Sequence, residues 1–431
     1  MPQTIINFGK TWQFTPKQIV YPTNVQELKS IIKTAISLRP VGSKHSWSKG
    51  IVTTETLVSL QNMCTIQEIN IEKLQVKVGA GITLKNLIAQ LELKNLALSN
   101  LGSIHAQTLA GAICTGTHGT GINFQCLASQ VENFEMVDGN GENHFFTNKD
   151  EEFYALLTGM GCCGIIHTIT LNVVKSFQMH AITDAVDFDE LIENLENYVE
   201  KYDHFKFWWL PPSKKVMVFK NNRTQQKRND SNFTRFIKDE VLSVAIYRLL
   251  VAVGKWNRKK FIPLFNYFLT KMGGKYFERI CKSYVGFLTP LPPVHRETEW
   301  AFNYTQAKHL LKEYKELLLN DEHTYNFVQE VRFSCSDNFW LSPAYKQNTI
   351  WLPMYNMDNN NNWEEQRKKF ETWAIANNGR PHWGKEANLK HEYLKKQYVK
   401  LADFNALVKK YDPLQKFANN WNKKFYTNCN E

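Results

Sequence analysis

The sequence has none of the cysteine patterns that mark disulfide-rich or zinc-binding proteins. Its 431 residues include 8 cysteines, but no CxxC pair and no Cys/His zinc spacing. The adjacent Cys162 and Cys163 suit neither an ordinary disulfide nor a metal site. We therefore predict reduced, mostly buried thiols, an intracellular reducing compartment and no bound metal ion.

Long apolar runs are also missing. Residues 1–8 contain neither a basic segment nor a long apolar run, so no signal peptide is expected. The apolar stretches at 241–254 and 261–273 are each shorter than the ~20 residues that span a bilayer, and the first contains Arg248. We expect no transmembrane helix and a cytoplasmic or peripherally membrane-associated protein. The basic helices at about 235–285 are expected to pack on their domain, with contact to a membrane surface as the alternative.

The usual nucleotide-binding motifs are absent as well. No GxGxxG turn lies between a strand and a helix with an acidic residue about 20 positions later, and no Gly-Lys-Ser/Thr completes a P-loop. A Rossmann or kinase interpretation is thereby excluded. The net charge of +11 favours an anionic partner, which a phosphate-bearing cofactor would satisfy. Nucleic acid is not expected, because no recognition motif accompanies the charge.

The length and the change in composition along the chain predict two domains. Residues 1–175 alternate short strands and helices, with a hairpin signal at Asp138-Gly139-Asn140-Gly141, a helix over 25–38, and a helix over 83–93 capped by Thr83. A second domain is predicted over 176–415, with strands near 327–334 and 349–355 and a helical insertion at about 235–285. The tail at 416–431 is expected to return to the first domain. These patterns indicate an α+β fold.

Two turns rich in small residues stand out in the first domain. The first contains Gly42, Ser43, Lys44, His45 and Ser46, whose backbone N–H groups would form a nest for a pyrophosphate. Taken alone, this segment would more often be an ordinary surface turn, and its histidine a structural one. The second turn spans 101–121 and contains a set of glycines that let a flat ligand approach the backbone: Gly102, Gly111, Gly116, Gly119 and Gly121.

The joint pattern of "VGSKHSWS", "LGSIHAQTLAGAICTGTHGTG", "GCCGIIHTITL", "EVRFSCSDNFWLSPAY" and "RPHWGK" resembles the sugar-1,4-lactone oxidases. These are the gulonolactone, galactonolactone and arabinonolactone oxidases of the vanillyl-alcohol oxidase flavoprotein superfamily, with the alditol oxidases as near relatives. The resemblance runs over nearly the whole chain. It implies an N-terminal FAD-binding α+β domain and a C-terminal substrate (cap) domain with an antiparallel sheet and helices.

The resemblance also implies FAD, held through an 8α-histidyl bond to His45. A glycine at Gly102 matches the position beside the flavin that controls oxygen access, and a small residue there is similar to oxidases rather than dehydrogenases. The implied cofactor-binding residues are Val41, Gly42, Ser43, Lys44, His45, Ser46, Trp47, Gly102, Ser103, Thr108, Gly111, Ala112, Ile113, Cys114, Gly116, Thr117, Ile166 and Lys385.

Glu330 and Arg332 are two residues apart on a predicted strand, so they point to the same face. Alone they would be a surface ion pair worth about 0–1 kcal/mol. The resemblance implies that they bind substrate, that the arginine stabilises the reduced flavin, and that Ser103 and Lys385 complete the catalytic set. The general base stays open among Glu330, His382 and a bound water.

The expected activity is oxidation of L-gulono-, L-galactono- or D-arabinono-1,4-lactone by oxygen, giving ascorbate or an analogue and hydrogen peroxide. "HWGK" replaces the "HWAK" usual in gulonolactone-type enzymes and is common in alditol oxidases, so oxidation of xylitol or sorbitol is the first alternative. The region 180–300 resembles the lactone oxidases more closely. A lactone dehydrogenase with a different electron acceptor is the second alternative, against which Gly102 argues.

Overall fold

The structure is a computed structural model that describes residues 3–230, 258–289, 293–357 and 362–426. The predicted helix at 241–254 therefore lies outside the described residues. The strands of the first part of the chain are β1 Ile5–Ile6, β2 Gln13–Phe14, β3 Gln18–Val20, β4 Leu38–Val41, β5 Thr56–Ser59, β6 Ile66–Asn70, β7 Gln75–Gly79, β8 Leu96–Ala97, β9 Val131–Asp138, β10 Asn143–Thr147, β11 Gly164–Asn172 and β12 Val174–Lys175. Its helices are α1 Val25–Thr34, α2 Leu84–Glu92, α3 Leu109–Cys114 and α4 Glu151–Leu156.

Two sheets organise this first part. A parallel sheet has the order β3-β5-β4, and an antiparallel sheet has the order β10-β9-β11-β7-β6. The hairpin predicted at residues 138–141 joins β9 to β10, and Thr83 caps α2 by accepting a hydrogen bond from the N–H of Asn86, as expected. The turn after β4 and the start of α3 both face the gap between these sheets, where the first cavity described below lies.

The helix predicted over 25–38 ends earlier than expected. Helix α1 stops at Thr34, and residues from Leu38 onward form β4, which pairs in parallel with β5. Pro40 disfavours helical backbone in the residue before it, and the N–H groups of this segment are satisfied by strand pairing instead. The consequence is functional, because β4 leads directly into the turn that carries His45.

The remaining strands are β13 Gln178–Asp187, β14 His204–Trp209, β15 Lys215–Thr224, β16 Phe277–Lys282, β17 Arg296–Asn303, β18 Gln329–Ser334, β19 Thr349–Asn356 and β20 Arg380–Pro381. The remaining described helices are α5 Phe188–Glu193, α6 Leu195–Lys201, α7 Arg258–Gly273, α8 Ser283–Phe287, α9 Ala307–Leu319, α10 Trp363–Ala376, α11 His391–Gln397, α12 Leu401–Tyr411 and α13 Lys423–Tyr426. The eight strands form one antiparallel sheet in the order β16-β13-β15-β14-β18-β19-β17-β20.

Strand register gives this sheet one polar and one apolar face in its centre. Lys206 lies opposite Arg332, Trp208 lies opposite Glu330, and Glu297 lies opposite Tyr355. Since side chains alternate along a strand, these residues share one face. The intervening residues turn to the other face and are fully or almost fully buried in the hydrophobic core: Phe205, Phe207, Val331 and Phe333.

The C-terminal segment contacts the first part of the chain. Lys416 Nζ donates hydrogen bonds to the carbonyls of Ile32, at 2.7 Å, and Lys33, at 3.1 Å. The guanidinium of Arg39 on β4 donates to the carbonyl of Phe417 at 2.6 Å. Among the described helices, none combines the length and apolar character needed to cross a bilayer.

Candidate active site

The turn after β4 is shaped by close backbone packing. An added Cβ on Gly42 would lie 2.3 Å from the hydroxyl oxygen of Thr108, so only glycine fits there. Lys44 has φ of 61°, in the left-handed region, a backbone conformation found in turns whose successive N–H groups form anion-binding nests. Arg39 anchors the base of the turn by donating to the carbonyls of Gly50, at 2.6 Å, and Met160, at 2.8 Å.

A cavity of about 480 Å³ lies against this turn. The second turn closes its other side, so both segments singled out in the sequence meet across it. The predicted cofactor-binding residues that line it are Val41, Gly42, Ser43, Lys44, His45, Ser46, Thr108, Gly111, Cys114 and Ile166. Its lining includes many glycines, small residues and apolar side chains, and the left-handed turn at Lys44 lies on one wall. Those properties fit a dinucleotide that carries a flat ring system.

His45 lies at the junction with a second cavity of about 180 Å³, since both cavities are lined by His45, Ser46, Gln107 and Thr115. Its Nδ1 is buried and has no hydrogen-bond partner among the described residues. Burial lowers the pKa of the imidazole, and the charge of Lys385 lowers it further. The ring is therefore neutral at pH 7 and keeps a free nitrogen lone pair, as a nucleophile requires.

The second cavity contains the predicted catalytic residues. Glu330 Oε1 lies 2.6 Å from Lys206 Nζ, while Glu330 Oε2 pairs with the guanidinium of Arg332. Ser103 Oγ lies 3.1 Å from Arg332 Nη2 and 3.3 Å from Glu330 Oε1. Burial would raise the pKa of Glu330, but Arg332 and Lys206 outweigh it and hold that pKa far below its ordinary value. Glu330 is thus a permanent anion.

Lys385 occupies another wall of the same cavity. Its Nζ lies 2.5 Å from Glu297 Oε2 and 4.6 Å from the centre of the Trp47 ring. Burial opposes ionisation of Glu297, yet the charge of Lys385 lowers the pKa of that carboxyl overall. The pair is therefore ionised, and Lys385 is held beside His45 as a fixed positive charge.

His118, Glu299 and His382 form a buried group, with one nitrogen or oxygen of each lying within 4.8 Å of the others. His382 Nδ1 accepts the backbone N–H of Gly384 at 3.0 Å. Burial lowers the pKa of His382 to about 3, so the ring is neutral and must carry its proton on Nε2. It is a hydrogen-bond donor, which removes it from the candidate general bases. Binding a metal through Nε2 would place Nδ1–H against the Gly384 N–H, so we do not interpret the group as metal-ligating. His118 Nε2 and Glu299 Oε1 lie 3.6 Å apart, and neither has a hydrogen-bond partner among the described residues.

The structure places most of the predicted residues at one cavity or the other. The second cavity is lined by Trp47, Gly102, Ser103, Thr117, Glu330, Arg332 and Lys385, besides the shared His45 and Ser46. Ala112 and Ile113 line neither cavity, because both side chains are completely buried in the core behind α3. Gly116 also lines neither cavity. Its φ of 69° is a conformation that glycine adopts readily, so it shapes the backbone of the second turn.

Sequence reasoning missed several residues of the site: Lys206, His118, Glu297, Glu299 and Tyr355. A signal was available for the two glutamates, since "RETEWAF" repeats the two-residue spacing of Glu330 and Arg332 on another strand. Lys206 gave no signal, because its proximity to Glu330 depends on the pairing of β14 with β18, which are 124 residues apart at this contact.

Fold and site together define a FAD-dependent oxidoreductase of the vanillyl-alcohol oxidase type, and a FAD-binding domain profile matches residues 16–146. The profile of the D-arabinono-1,4-lactone oxidase family matches residues 169–425, and the chain belongs to that family. The resemblance to sugar-lactone oxidases and the expected fold class are confirmed.

Individual relatives agree with the family. The chain is 28% identical to L-gulonolactone oxidase of Bos taurus over 441 residues, covering 97% of each chain. It is 26% identical to L-gulono-1,4-lactone dehydrogenase of Mycobacterium tuberculosis H37Rv, covering 95% of this chain and 96% of the relative. A solved cholesterol oxidase from Brevibacterium sterolicum has a TM-score of 0.83 at 16% identity, covering 99% of this chain and 97% of its own, which shows the shared fold.

Proposed function

We propose that the protein oxidises a secondary hydroxyl of a sugar-1,4-lactone with oxygen. The hydroxyl oxygen loses a proton and the carbon that bears it loses a hydride, so the C–OH becomes a C=O, and molecular oxygen gains two electrons and two protons to become hydrogen peroxide. The observation that carries this proposal is the second cavity, which is small, lined by paired charges and adjacent to His45 and Gly102. L-Gulono-, L-galactono- and D-arabinono-1,4-lactone are the candidate substrates, and ascorbate or an analogue the candidate product.

Bound FAD supplies the two-electron chemistry and its return to oxygen. The chain's own residues bind and orient the lactone. Glu330 is an anion at working pH and accepts hydrogen bonds from substrate hydroxyls, while Ser103 can both donate and accept. Arg332 and Lys385 place positive charge where negative charge develops during the transfer, without reorganisation at the moment of reaction.

The size and the charges of the second cavity also favour a sugar lactone over a sterol such as the cholesterol named for the structural neighbour. Pockets for drug-sized ligands measure about 300–1,000 Å³. A cavity of about 180 Å³ bearing Glu297, Glu299, Glu330, Arg332 and Lys385 suits a small polyhydroxy molecule and not a sterol. Alditols remain the alternative, because the same groups would bind an open-chain polyol.

The proposed function is tested by measuring peroxide formation and dye reduction with the three lactones beside xylitol and sorbitol. Peroxide formed preferentially with a lactone supports the proposal, whereas preference for a polyol assigns the protein to the alditol alternative. Dye reduction without peroxide would indicate a dehydrogenase. Flavin absent after reconstitution with FAD would contradict the proposal altogether.

We further propose that FAD is attached covalently to His45. Its buried and unpartnered Nδ1, its neutral ring and its place between the cavities support the bond. We expect acid-precipitated wild-type protein to keep its yellow colour in the pellet. The His45→Ala variant should release its flavin to the supernatant, while His391→Ala, far along the chain on α11, should behave as wild type. Release from the wild type would exclude the covalent bond and leave the enzyme class intact.

We also propose peripheral contact with an anionic membrane surface through α7. One face of this helix is docked on the protein, since Ile262, Asn266 and Thr270 are buried. The opposite face exposes four apolar side chains at helical spacing: Leu264, Tyr267, Phe268 and Met272. Exposed lysines flank them: Lys259, Lys260, Lys271 and Lys275. That combination is typical of helices that lie in a membrane interface.

We expect the protein to sediment with phosphatidylserine-containing vesicles and less with neutral ones. Replacing Leu264 and Phe268 together by Glu should reduce binding at least tenfold, because each side chain buries apolar area and each new charge repels the surface. Replacing the exposed Leu93 by Glu, on the other part of the chain, serves as the matched control. Equal binding by all three proteins, or none by the wild type, would contradict the contact.

A further inference from the structure

Lys206 is a buried, charged residue of this region to which the proposed mechanism has given no role. It lies on β14, opposite Arg332 of β18, and its side chain is 7% exposed. Its Nζ is 2.6 Å from Glu330 Oε1 and 3.5 Å from Ser103 Oγ. Lys206 is not among the residues that line the second cavity, so it acts on substrate only through its neighbours.

We propose that Lys206 is a positioning residue that, with Arg332, holds Glu330 as an oriented anion, so that Glu330 anchors substrate hydroxyls and does not accept the reaction proton. The inference rests on the proposed lactone oxidation. It assigns Lys206 a role in substrate affinity, and it narrows the open question of the base by removing Glu330 as well as His382.

The geometry supports orientation as well as charge. Each carboxylate oxygen of Glu330 has its own cation, Lys206 on Oε1 and Arg332 on Oε2. The two cations come from different strands, so rotation of the carboxylate would break both contacts. The Lys206 ammonium is itself held near two aromatic rings, 5.7 Å from the centre of Trp208 and 5.5 Å from that of Phe219. An anion clamped on both oxygens presents its remaining lone pairs in fixed directions.

Among the described residues, no other cation could take over the contact that Lys206 makes with Glu330. The groups that face Glu330 are Arg332 on its own strand, Lys206 on β14, Ser103 on the loop after β8 and Tyr355 on β19. Arg332 is also shared with Glu299 of β17, whose charge acts on it. Lys206 therefore supplies the one cation that Glu330 does not share with another carboxylate among the described residues.

Removing the charge of Lys206 should raise the pKa of Glu330. The pKa of Glu330 is lowered by both cations against the opposing effect of burial. With Lys206 uncharged, the opposing effect of burial gains weight and the pKa of Glu330 rises. Protonation at acid pH would then convert the anchor from an acceptor into a donor. The wild type should lack such an acid limb above pH 4.5.

The test compares Lys206→Gln, which keeps an N–H donor without the charge, with Lys206→Arg, which keeps the charge. Lys220→Gln is the matched control: Lys220 lies opposite Phe205, on the other face of the same sheet, and pairs with Asp184 at 3.3 Å. Thermal unfolding checks that each variant folds. Rates are followed from pH 4.5 to 9, and calorimetry of the holoenzyme measures binding of a lactone that lacks the reacting hydroxyl.

We expect Lys206→Gln to raise KM and weaken analogue binding about tenfold, because a charge-assisted hydrogen bond becomes a neutral one, with a smaller change in kcat. In Lys206→Gln, kcat/KM should fall at the acid end of the pH range. In Lys206→Arg, as in the wild type, this fall should be absent. Unchanged affinity and pH profile in a folded Lys206→Gln protein, or equal losses in the Gln and Arg variants, would overturn the inference. A wild type inactive with every lactone would overturn the proposed function and this inference together.

Discussion

Replacing Arg332 by Met is expected to lower kcat/KM for the lactone by about 10²–10³, the scale seen when one preorganised donor is lost from a charge-stabilising site. Arg332 donates to Ser103 and pairs with Glu330, so those contacts are lost with it. Its Nε is buried without a hydrogen-bond partner among the described residues, although the side chain lines the cavity. A buried guanidinium N–H left unsatisfied in this way is available to a bound ligand.

The measurement separates flavin reduction from reoxidation. Anaerobic mixing with lactone reports the reductive step, where the loss should fall, and the rate of reaction of the reduced enzyme with oxygen should change less. Arg332→Lys keeps the charge but loses the fork of donors, so it should restore only part of the kcat/KM lost in Arg332→Met. Arg279→Met, at the edge strand β16 of the same sheet, is the control and should retain full activity. If the flavin of Arg332→Met were reduced by lactone at the wild-type rate, the guanidinium would have no role in the transfer.

The parts of the site carried by local sequence were predictable. The turn at residues 42–46 is encoded by adjacent small residues, and the Glu330–Arg332 arrangement follows from alternation along a single strand. Both line the cavities as the resemblance implied. Their roles in catalysis and cofactor binding, and the division of the chain at 175/176, remain predictions.

The parts that depend on strand pairing were not predictable from one sequence. Lys206 and Glu330 meet because β14 and β18 are neighbours with a given register, and a shift of one residue would turn Lys206 to the opposite face. Glu297 and Glu299 reach the cavity through β19, which separates β17 from β18. The same kind of pairing converts the end of the predicted helix over 25–38 into β4.

The pH dependence of stability is expected to be steep on the acid side, because several buried histidines resist protonation. Burial lowers the pKa of His167 to about 4, that of His204 to about 4 and that of His382 to about 3. In the unfolded chain each would titrate near 6.5. The unfolded state therefore binds more protons than the folded state below pH 6.5, and stability falls as the pH is lowered from 6.5 toward 4.

Well below pH 6.5 each such histidine costs about 1.4 kcal/mol per pH unit, so between pH 6.5 and 5 the three together remove about 5 kcal/mol. That amount is comparable to the whole stability of many domains, about 5–15 kcal/mol. Buried carboxylates whose pKa is lowered, such as Glu330 and Glu297, act in a different window. Their contribution is present above their unfolded value near 4.3 and is lost only below it. Burial raises the pKa of Asp337 to about 6 and also raises the pKa values of Glu371 and Asp412. Protonation of these carboxyls stabilises the folded protein and offsets part of the loss due to the histidines.

Urea unfolding at several pH values between 5 and 7 checks this expectation. His204→Asn should reduce the slope by about 1.4 kcal/mol per pH unit, since the amide N–H of Asn can replace the Nδ1 donor that contacts the carbonyl of Thr120 at 2.8 Å without taking up a proton. His309→Gln is the matched control, because its side chain is 70% exposed and gains little from folding. A stability that stays constant from pH 6.5 to 5, or an equal change of slope in both variants, would mean that the buried rings are protonated in the folded protein, and with them the donor role assigned to His382 would fail.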